Sequence, residues 1–283
     1  MATIDFTRIN TNIAALNALN TLWNVNRGLA TAQTRLATGK RINEAADDPA
    51  GLTMATTFKT RSEGLQVALN SIGDAKNLLA VAEGGLSKIN DILGKMRAKA
   101  EMAVSDTLSD DERNAIYNEL DAYEAEIDDI ASNTLWNGRV LLDGSGASSL
   151  TFQTGAESGD TTVFQLTQDH STGSAGLNVA ISSSAEVGSS GSAQAYLSKV
   201  ESAIDTVSSS LATVGDMVAR LTFKEETLSV EHVNTEAAFN RIMNADMAKE
   251  QLISVKYQIL QQTAIAMLAQ ANAAPQALLQ LFR

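Results

Sequence analysis

The chain contains no cysteine, so disulfide bonds, thiolate metal sites and cysteine nucleophiles are all excluded. Proline occurs only twice, as Pro49 and Pro275, and aromatic residues make up 5% of the sequence. Few helix breakers and few bulky rings favour long helices that pack through alanine and aliphatic side chains. The predicted fold is therefore mainly α.

Charged residues are nearly absent from both ends of the chain. Residues 1–26 carry two charged side chains, and residues 251–283 carry two. Asn and Gln fill the polar sides of these segments, and uncharged polar groups tolerate burial better than charged ones. Because an isolated helix is marginal in water, we expect the two ends to be buried against each other and against copies of the same chain.

The rest of the sequence is acidic and holds no basic cluster. The net charge is −12, and residues 61–243 carry 12 Lys/Arg against 27 Asp/Glu. Binding to nucleic acid requires a clustered basic surface, so it is not expected here. The sequence shows neither a basic leader followed by an apolar run nor an apolar stretch of about 20 residues. We therefore expect no cleaved signal peptide and no membrane insertion.

One helical pattern dominates the sequence. Twelve residues follow one another at alternating spacings of three and four, namely Leu65, Ala68, Ile72, Ala75, Leu79, Ala82, Leu86, Ile89, Leu93, Met96, Ala100 and Ala103. This sustained heptad pattern predicts a long coiled-coil helix. Asp48 and Pro49 predict its start, with the acid as cap and proline in the first helical position.

Further helices are expected on both sides of a short insert. Ser109 and Glu112 form a capping box before a helix that continues to Ile130. A second heptad pattern runs from Val200 to Leu228. The expected architecture is a long antiparallel helical coiled-coil bundle with paired N- and C-terminal helices.

The insert is rich in Gly, Ser and Thr. Residues 150–153 and 162–166 alternate apolar and polar side chains, which predicts a small β-hairpin. Asn137 and Gly138 predict a tight turn before the insert. Residues 180–192 are interpreted as flexible surface.

No set of residues predicts catalysis. His170 and His232 have no partner at ligand spacing and are interpreted as surface imidazoles. Asp47 and Asp48 are interpreted as a capping turn. A solvated helix face is the interpretation for Glu124, Glu126, Asp128 and Asp129. We therefore predict that the chain is not an enzyme and has no catalytic residue, cofactor or metal.

The charge-poor ends supply the candidate functional residues, and self-assembly is the role we predict for them. The alternative is that they only close a long monomeric bundle. The candidate inner-core packing residues are Ile9, Ile13, Leu16, Leu19, Leu22, Trp23, Leu252, Val255, Ile259, Leu268, Leu278, Leu279, Leu281 and Phe282.

Hydroxyl side chains in the insert are candidates for O-glycosylation. They are Ser148, Ser149, Thr161, Thr162, Ser182, Ser183 and Ser184. The alternative is a plain solvated loop.

Several longer segments match a known family. Near the start stand INTN at 9–12, LATGKRIN at 36–43 and ADDPAGL at 46–52. AEGGL at 82–86, TLWNGRVLL at 134–142 and ADMAKE at 245–250 follow. The C-terminal part has ILQQ at 259–262, LAQAN at 268–272 and PQALL at 275–279. Together they resemble bacterial flagellin, the filament subunit of the flagellum, over nearly the whole chain outside residues 143–195.

The resemblance implies a division of the chain into domains. Residues 1–43 and 243–283 would form an inner terminal coiled-coil domain that lines the filament channel. Residues 44–142 and 193–242 would form a helical outer-tube domain, with residues 143–192 as its short β-hairpin and loop insert. The large outer variable domain of many flagellins would be absent.

The resemblance also implies a location and partners. The protein would lie outside the cell in the flagellar filament, after type III export without a cleaved signal peptide. Its partners would be further copies of itself in a helical homopolymer, an export chaperone, the filament cap and the hook-junction proteins. At the positions that a Toll-like receptor reads in many flagellins, residues 95–100 lack the usual acid and one apolar residue, which predicts weak receptor activation.

Three alternatives to a filament subunit arise from the same resemblance. A hook–filament junction protein has a similar helical plan but usually a different C-terminal ending. Some flagellins carry a protease in the insert, and this chain has no zinc motif there. A flagellin homologue that binds a cell surface or a glycan through the insert is the third.

Overall fold

The computed structural model describes residues 11–144 and 149–281, with side chains up to residue 273. Five long helices dominate it, as the composition predicts. They are α1 (Ile13–Thr38), α2 (Pro49–Ala103), α3 (Asp110–Asn133), α4 (Ser190–Met243) and α5 (Met247–Leu281). The strands are β1 (Leu135–Trp136), β2 (Arg139–Val140), β3 (Leu150–Gln153) and β4 (Thr161–Phe164), and a 3₁₀ turn covers Ser184–Glu186.

The chain forms two compact units. One comprises the residues up to Thr60 and from Asn234 onward, and the other comprises Arg61–Val233. Their boundaries fall inside α2 and α4, whereas the domain division proposed from the sequence places them after residues 43 and 242. The termini therefore share their unit with the first turns of α2 and the last turns of α4.

The heptad pattern of α2 forms the main core of the 61–233 unit. All twelve predicted residues, from Leu65 to Ala103, are at most 1% exposed. Ion pairs between Arg61 and Glu231 and between Arg97 and Glu201 show that α2 and α4 run antiparallel. Large and small residues alternate along the buried face, which lets the helices approach closely. The predicted antiparallel helical packing is confirmed.

Local capping signals place the helix starts correctly. The Oδ1 atom of Asp48 accepts a hydrogen bond from the backbone N–H of Gly51 at 2.9 Å, so α2 begins at Pro49 as predicted. The backbone N–H of Ser109 donates to Glu112 at 2.8 Å, and the Glu112 backbone N–H donates to the Ser109 hydroxyl. This capping box lowers the pKa of the Glu112 carboxyl, because the backbone and hydroxyl of Ser109 bind its charged form.

Both predicted β features are present. Strands β1 and β2 pair around Asn137 and Gly138, whose φ angles of 49° and 80° are those of a two-residue turn with both centres left-handed. Strands β3 and β4 pair antiparallel, with Leu150 opposite Phe164. Leu150 and Phe164 are buried in the main core.

Residues 180–192 are not the flexible surface that their composition suggests. Ile181 and Val187 are buried in the main core, and α4 already begins at Ser190. The backbone N–H of Ile181 donates to the Glu124 carboxylate at 2.8 Å. A segment without regular structure can lie against a core when its backbone donors find such partners.

The acidic face of α3 is therefore only partly solvated. Glu124 binds Ile181, and Asp128 accepts a hydrogen bond from the backbone N–H of Thr172 at 2.8 Å. The Thr172 hydroxyl lies within hydrogen-bond distance of both carboxylates, at 3.2 Å from Glu124 and 3.0 Å from Asp128. Glu124 and Asp128 thus fasten the loop that follows the hairpin. Glu124 is half-buried, while Glu126, Asp128 and Asp129 are exposed as predicted.

The interpretation of His170 as a surface imidazole is wrong. Its side chain is fully buried, and its Nε2 atom lies 2.9 Å from the hydroxyl of Ser210. Its Nδ1 atom has no hydrogen-bond partner. Burial lowers the pKa of the imidazole, since the charged form would lose its hydration. No hydrophobic periodicity surrounds His170 in the sequence, so no local pattern signals its burial.

Candidate assembly surface

Helices α1 and α5 form an antiparallel pair within the unit that contains both termini. The Asn12 amide donates to the backbone carbonyl of Ala271 at 2.8 Å, and the Gln261 amide donates to the Asn26 side chain at 2.7 Å. Further along, Lys40 forms a β-bridge with Asn244. Residues later in α1 thus contact residues earlier in α5, which is the order of an antiparallel pair. The predicted pairing of the N- and C-terminal helices is confirmed for the described residues.

Apolar side chains and one glycine form the inner face of α1. Val25, Leu29 and Ala32 of α1 are buried, and a Cβ atom added to Gly28 would lie 2.5 Å from Cζ of Tyr257. The Tyr257 ring therefore packs directly on the glycine backbone. This close approach fixes which side of α1 faces α5.

One half-buried ion pair accompanies the apolar contact. The Arg35 guanidinium lies 3.4 Å from the Glu250 carboxylate, and the Glu250 side chain is 9% exposed. The Nε atom of Arg35 is buried without a partner. Because the Glu250 carboxylate is almost buried, it needs this counter-charge, and the pair itself adds little net stability.

The opposite sides of both helices carry large apolar residues that face outward. Seven of the predicted assembly residues are exposed and are called the terminal apolar surface: Ile13, Leu16, Leu19, Trp23, Leu252, Val255 and Ile259. The exposure reaches 69% for Trp23 and 74% for Leu252. These side chains are not used to pair α1 with α5. They remain available for contact with something outside the chain.

The other predicted assembly residues divide into two groups. Leu22 and Leu268 are half-buried. Ile9 and Phe282 lie outside the described residues, and Leu278, Leu279 and Leu281 belong to α5 without described side chains.

Four exposed residues of α5 extend the surface and were not predicted: Met247, Leu260, Ile265 and Met267. Alanine and glutamine surround these residues in the sequence, so they do not follow a heptad pattern that would have predicted them. The signal that could have found them is the lack of charge, because Lys256 is the only charged residue between 251 and 281.

Trp23 is the largest member of the terminal apolar surface. The Arg27 guanidinium lies 5.3 Å from the centroid of its ring, a cation–π contact at helical i, i+4 spacing. Burying one such large apolar side chain contributes about 1.5–3 kcal/mol relative to leaving it exposed. Seven of them represent on the order of 10 kcal/mol of gross transfer free energy, which is comparable with the cost of about 4–15 kcal/mol that association must overcome.

Most hydroxyl candidates for glycosylation are accessible. Ser149, Thr161 and the serines at 182–184 are exposed, and Ser148 lies outside the described residues. Thr162 is different, because it is 5% exposed and its hydroxyl lies 3.0 Å from that of Thr154. Its hydroxyl is thus turned into the protein and is not presented to a transferase.

The positions that resemble a receptor-recognition stretch lie on α2. Met96 and Ala100 are buried in the core. Arg97 pairs with Glu201 at 3.2 Å, and Lys99 pairs with Glu119. The latter pairing raises the pKa of Lys99. Two of the three basic groups in this stretch are thus already held by acids of the same chain.

Within the described ranges, no three His, Asp or Glu side chains come together as metal ligands would. In the same part of the chain, no helix combines the length and the apolar character needed to span a bilayer.

The chain is similar to known proteins over nearly its whole length. Residues 9–147 match the bacterial flagellin N-terminal helical region, and residues 197–282 match the bacterial flagellin C-terminal helical region. A flagellin of Listeria monocytogenes is 33% identical over 97% of this chain and 99% of its own length. A flagellin of Bacillus subtilis is 34% identical over 98% of this chain and 100% of its own length.

A solved structure shares the fold. It is titled as a putative flagellar hook-associated protein from Vibrio parahaemolyticus, with a TM-score of 0.61 and 16% sequence identity. The match covers 70% of this chain and 100% of that one. At this identity the likeness concerns the fold alone.

Proposed function

Because this chain belongs to the bacterial flagellin family and is a structural subunit of the self-assembled flagellar filament, we propose that the terminal apolar surface is where its copies bind one another. The observation that supports this role is the outward exposure of large apolar residues on a helix pair that is already closed by other side chains. Large apolar side chains that share one exposed face mark an interaction site.

The paired terminal helices would form the inner domain of the filament, and the 61–233 unit would contribute to its outer tube. The first residues of α2 and the last residues of α4 share a core around Ile42, Ala55 and Met243 with the connection after α1. The Arg41 side chain donates to the backbone carbonyl of Ile242 at 3.1 Å and so ties that connection to the end of α4. These contacts support an inner domain that extends past the sequence-based boundaries.

The family also supports finer proposals about the life of the subunit. We propose export through the flagellar type III channel without a cleaved signal peptide, assisted by a chaperone, with a filament cap and hook-junction proteins as further partners. A structural role without catalysis is proposed on the same ground. N-terminal sequencing of purified filament would check the processing.

Two alternatives remain less well supported. A junction protein shares the helical fold, but the near-full-length relatives are flagellins. A surface- or glycan-binding homologue would need a site in the insert, and no specific observation favours one. O-glycosylation is proposed for the exposed candidates without Thr162, and the intact mass of secreted filament would test it.

A paired substitution on α5 tests the assembly surface. We expect Leu252→Gln with Ile259→Gln to leave the monomer folded and to raise the critical concentration for polymerisation at least about tenfold, since about 1.4 kcal/mol suffices for that factor. Negative-stain electron microscopy and sedimentation of seeded monomers provide the measurement. Val67→Gln with Val163→Gln, two exposed apolar positions outside α1 and α5, is the matched control. Normal filament yield from the α5 variant would contradict the proposal.

Receptor recognition gives a second test. We propose weak activation of a flagellin-sensing Toll-like receptor, because Arg97 and Lys99 are paired with Glu201 and Glu119 and the stretch lacks the usual acid. A reporter-cell assay on monomers should give a potency well below that of a strong flagellin agonist. Equal potency would contradict this proposal and leave the assembly role unaffected.

A further inference from the structure

Methionine supplies all the sulfur in this chain, because there are eight methionines and no cysteine. The side chains of Met96, Met217 and Met243 are buried. The exposed ones in the described part of the chain are Met54, Met102, Met247 and Met267. Among the described residues, these exposed thioethers are the ones directly accessible to an oxidant in the folded monomer, since oxidation follows exposure.

Two of the exposed methionines lie on α5 among the residues of the terminal apolar surface. Met267 is 62% exposed and stands eight residues after Ile259, about 80° further around the helix, so its thioether lies at one edge of the exposed apolar face. Met247 is 47% exposed and stands eight residues before Val255. Both thioethers therefore border the apolar face on which a second copy of the chain would be seated.

The oxidation of such a thioether is a simple two-electron step. The methionine sulfur attacks one oxygen of hydrogen peroxide, an S–O bond forms, the O–O bond breaks and water leaves. The sulfur is oxidised to a sulfoxide while the peroxide is reduced. The product is a polar, chiral side chain in place of a flexible apolar one.

We propose that Met247 and Met267 are oxidation-sensitive modification sites that control assembly, because a sulfoxide at either position prevents a second copy from docking on the α5 face. The inference rests on the proposed function of the terminal apolar surface. A sulfoxide oxygen buried against apolar side chains loses its hydration without gaining a hydrogen-bond donor, which opposes docking. Assembly in turn shields the two thioethers from oxidant.

A partition experiment on the wild-type protein tests the proposal. Monomers are treated with hydrogen peroxide until roughly half of each exposed methionine is sulfoxide, and are then seeded to polymerise. Filaments and residual monomers are separated by sedimentation, and the sulfoxide fraction at each methionine is measured by peptide mass spectrometry. We expect sulfoxide at 247 and 267 to be depleted at least about fivefold in filaments, a ratio that needs only on the order of 1 kcal/mol.

Met102 is the internal control, because it is 55% exposed and lies on α2 in the other unit. The fraction of Met102 that is sulfoxide should be the same in the filament and in the residual monomer. Equal sulfoxide at 247 and 267 in both fractions would overturn the proposal, as would equal depletion at all exposed methionines. If untreated monomers failed to polymerise, the assembly surface itself would be refuted, which is a separate and distinguishable outcome.

Variants provide a second measurement. Met247→Leu with Met267→Leu removes both thioethers, so the yield of filament after peroxide treatment, divided by the yield of the same variant without treatment, should stay near one. Met54→Leu with Met102→Leu should remain as peroxide-sensitive as the wild type. If the Met54/Met102 double variant resisted peroxide and the Met247/Met267 double variant did not, the assignment of the sensitive sites to α5 would be wrong.

Discussion

His170 illustrates how a single buried residue can make stability depend on pH. Its imidazole is enclosed in the 61–233 unit beside Ser210 and has one nitrogen without a partner. Burial lowers its pKa below the usual 6.5. Below about pH 6.5 the unfolded chain therefore binds a proton at this residue that the native state refuses.

Stability should accordingly fall as the pH drops below 6.5, by up to about 1.4 kcal/mol per pH unit from this group until its native pKa is reached. We expect His170→Gln to flatten the pH dependence between 7 and 5, as measured by urea unfolding of the monomer. The same substitution at His232, the other histidine, is the control. An unchanged slope in the His170 variant would show that another group is responsible. Carboxylates such as Glu112, whose pKa is lowered, act in a separate and more acidic window.

At Gly28, the absence of a side chain lets α1 approach α5 closely. The Tyr257 ring of α5 lies where a Cβ atom on α1 would stand. In most exposed helix positions, replacing glycine by alanine stabilises a helix by about 1 kcal/mol. In Gly28→Ala, the added methyl group would clash with the Tyr257 ring. The substitution would therefore stabilise α1 itself but disrupt its packing against α5.

The expected result of Gly28→Ala is a looser α1–α5 pair, seen as faster amide hydrogen exchange in both helices. Gly94→Ala is the matched control, because Gly94 also lies inside a long helix but has nothing within 4 Å of an added Cβ. That substitution should slow exchange locally or leave it unchanged. Slower exchange in α1 of the Gly28 variant would contradict the packing described here.

Much of the secondary structure could be predicted from the sequence. The heptad pattern of α2, the Ser109–Glu112 capping box and the Asn137–Gly138 turn are present as expected. Each depends on residues within a few positions of one another. The fastening of Thr172 and Ile181 by Glu124 and Asp128 could not be predicted, because it joins residues more than 40 positions apart.

At the scale of the whole molecule, assembly is the property to test. We expect removal of residues 278–283 to leave the monomer folded and to abolish polymerisation, because the deleted segment contains four of the predicted assembly residues. Circular dichroism checks the fold, and electron microscopy checks the filaments. A truncated chain that still polymerised at normal yield would show that this segment is dispensable.

The long helices, the caps of α2 and α3 and the family could all be read from the sequence, because periodicity, turn chemistry and long shared motifs are local properties of a chain. The lack of charge also indicated that the two ends are assembly elements. Which sides of those ends face each other follows only from the folded chain. Gly28 and Ala32 turn one face of α1 toward α5, and Trp23 and Leu16 are left outside. Both faces of α1 carry large apolar residues, so hydrophobicity alone does not distinguish them, and the close packing of Tyr257 on Gly28 selects the inner face.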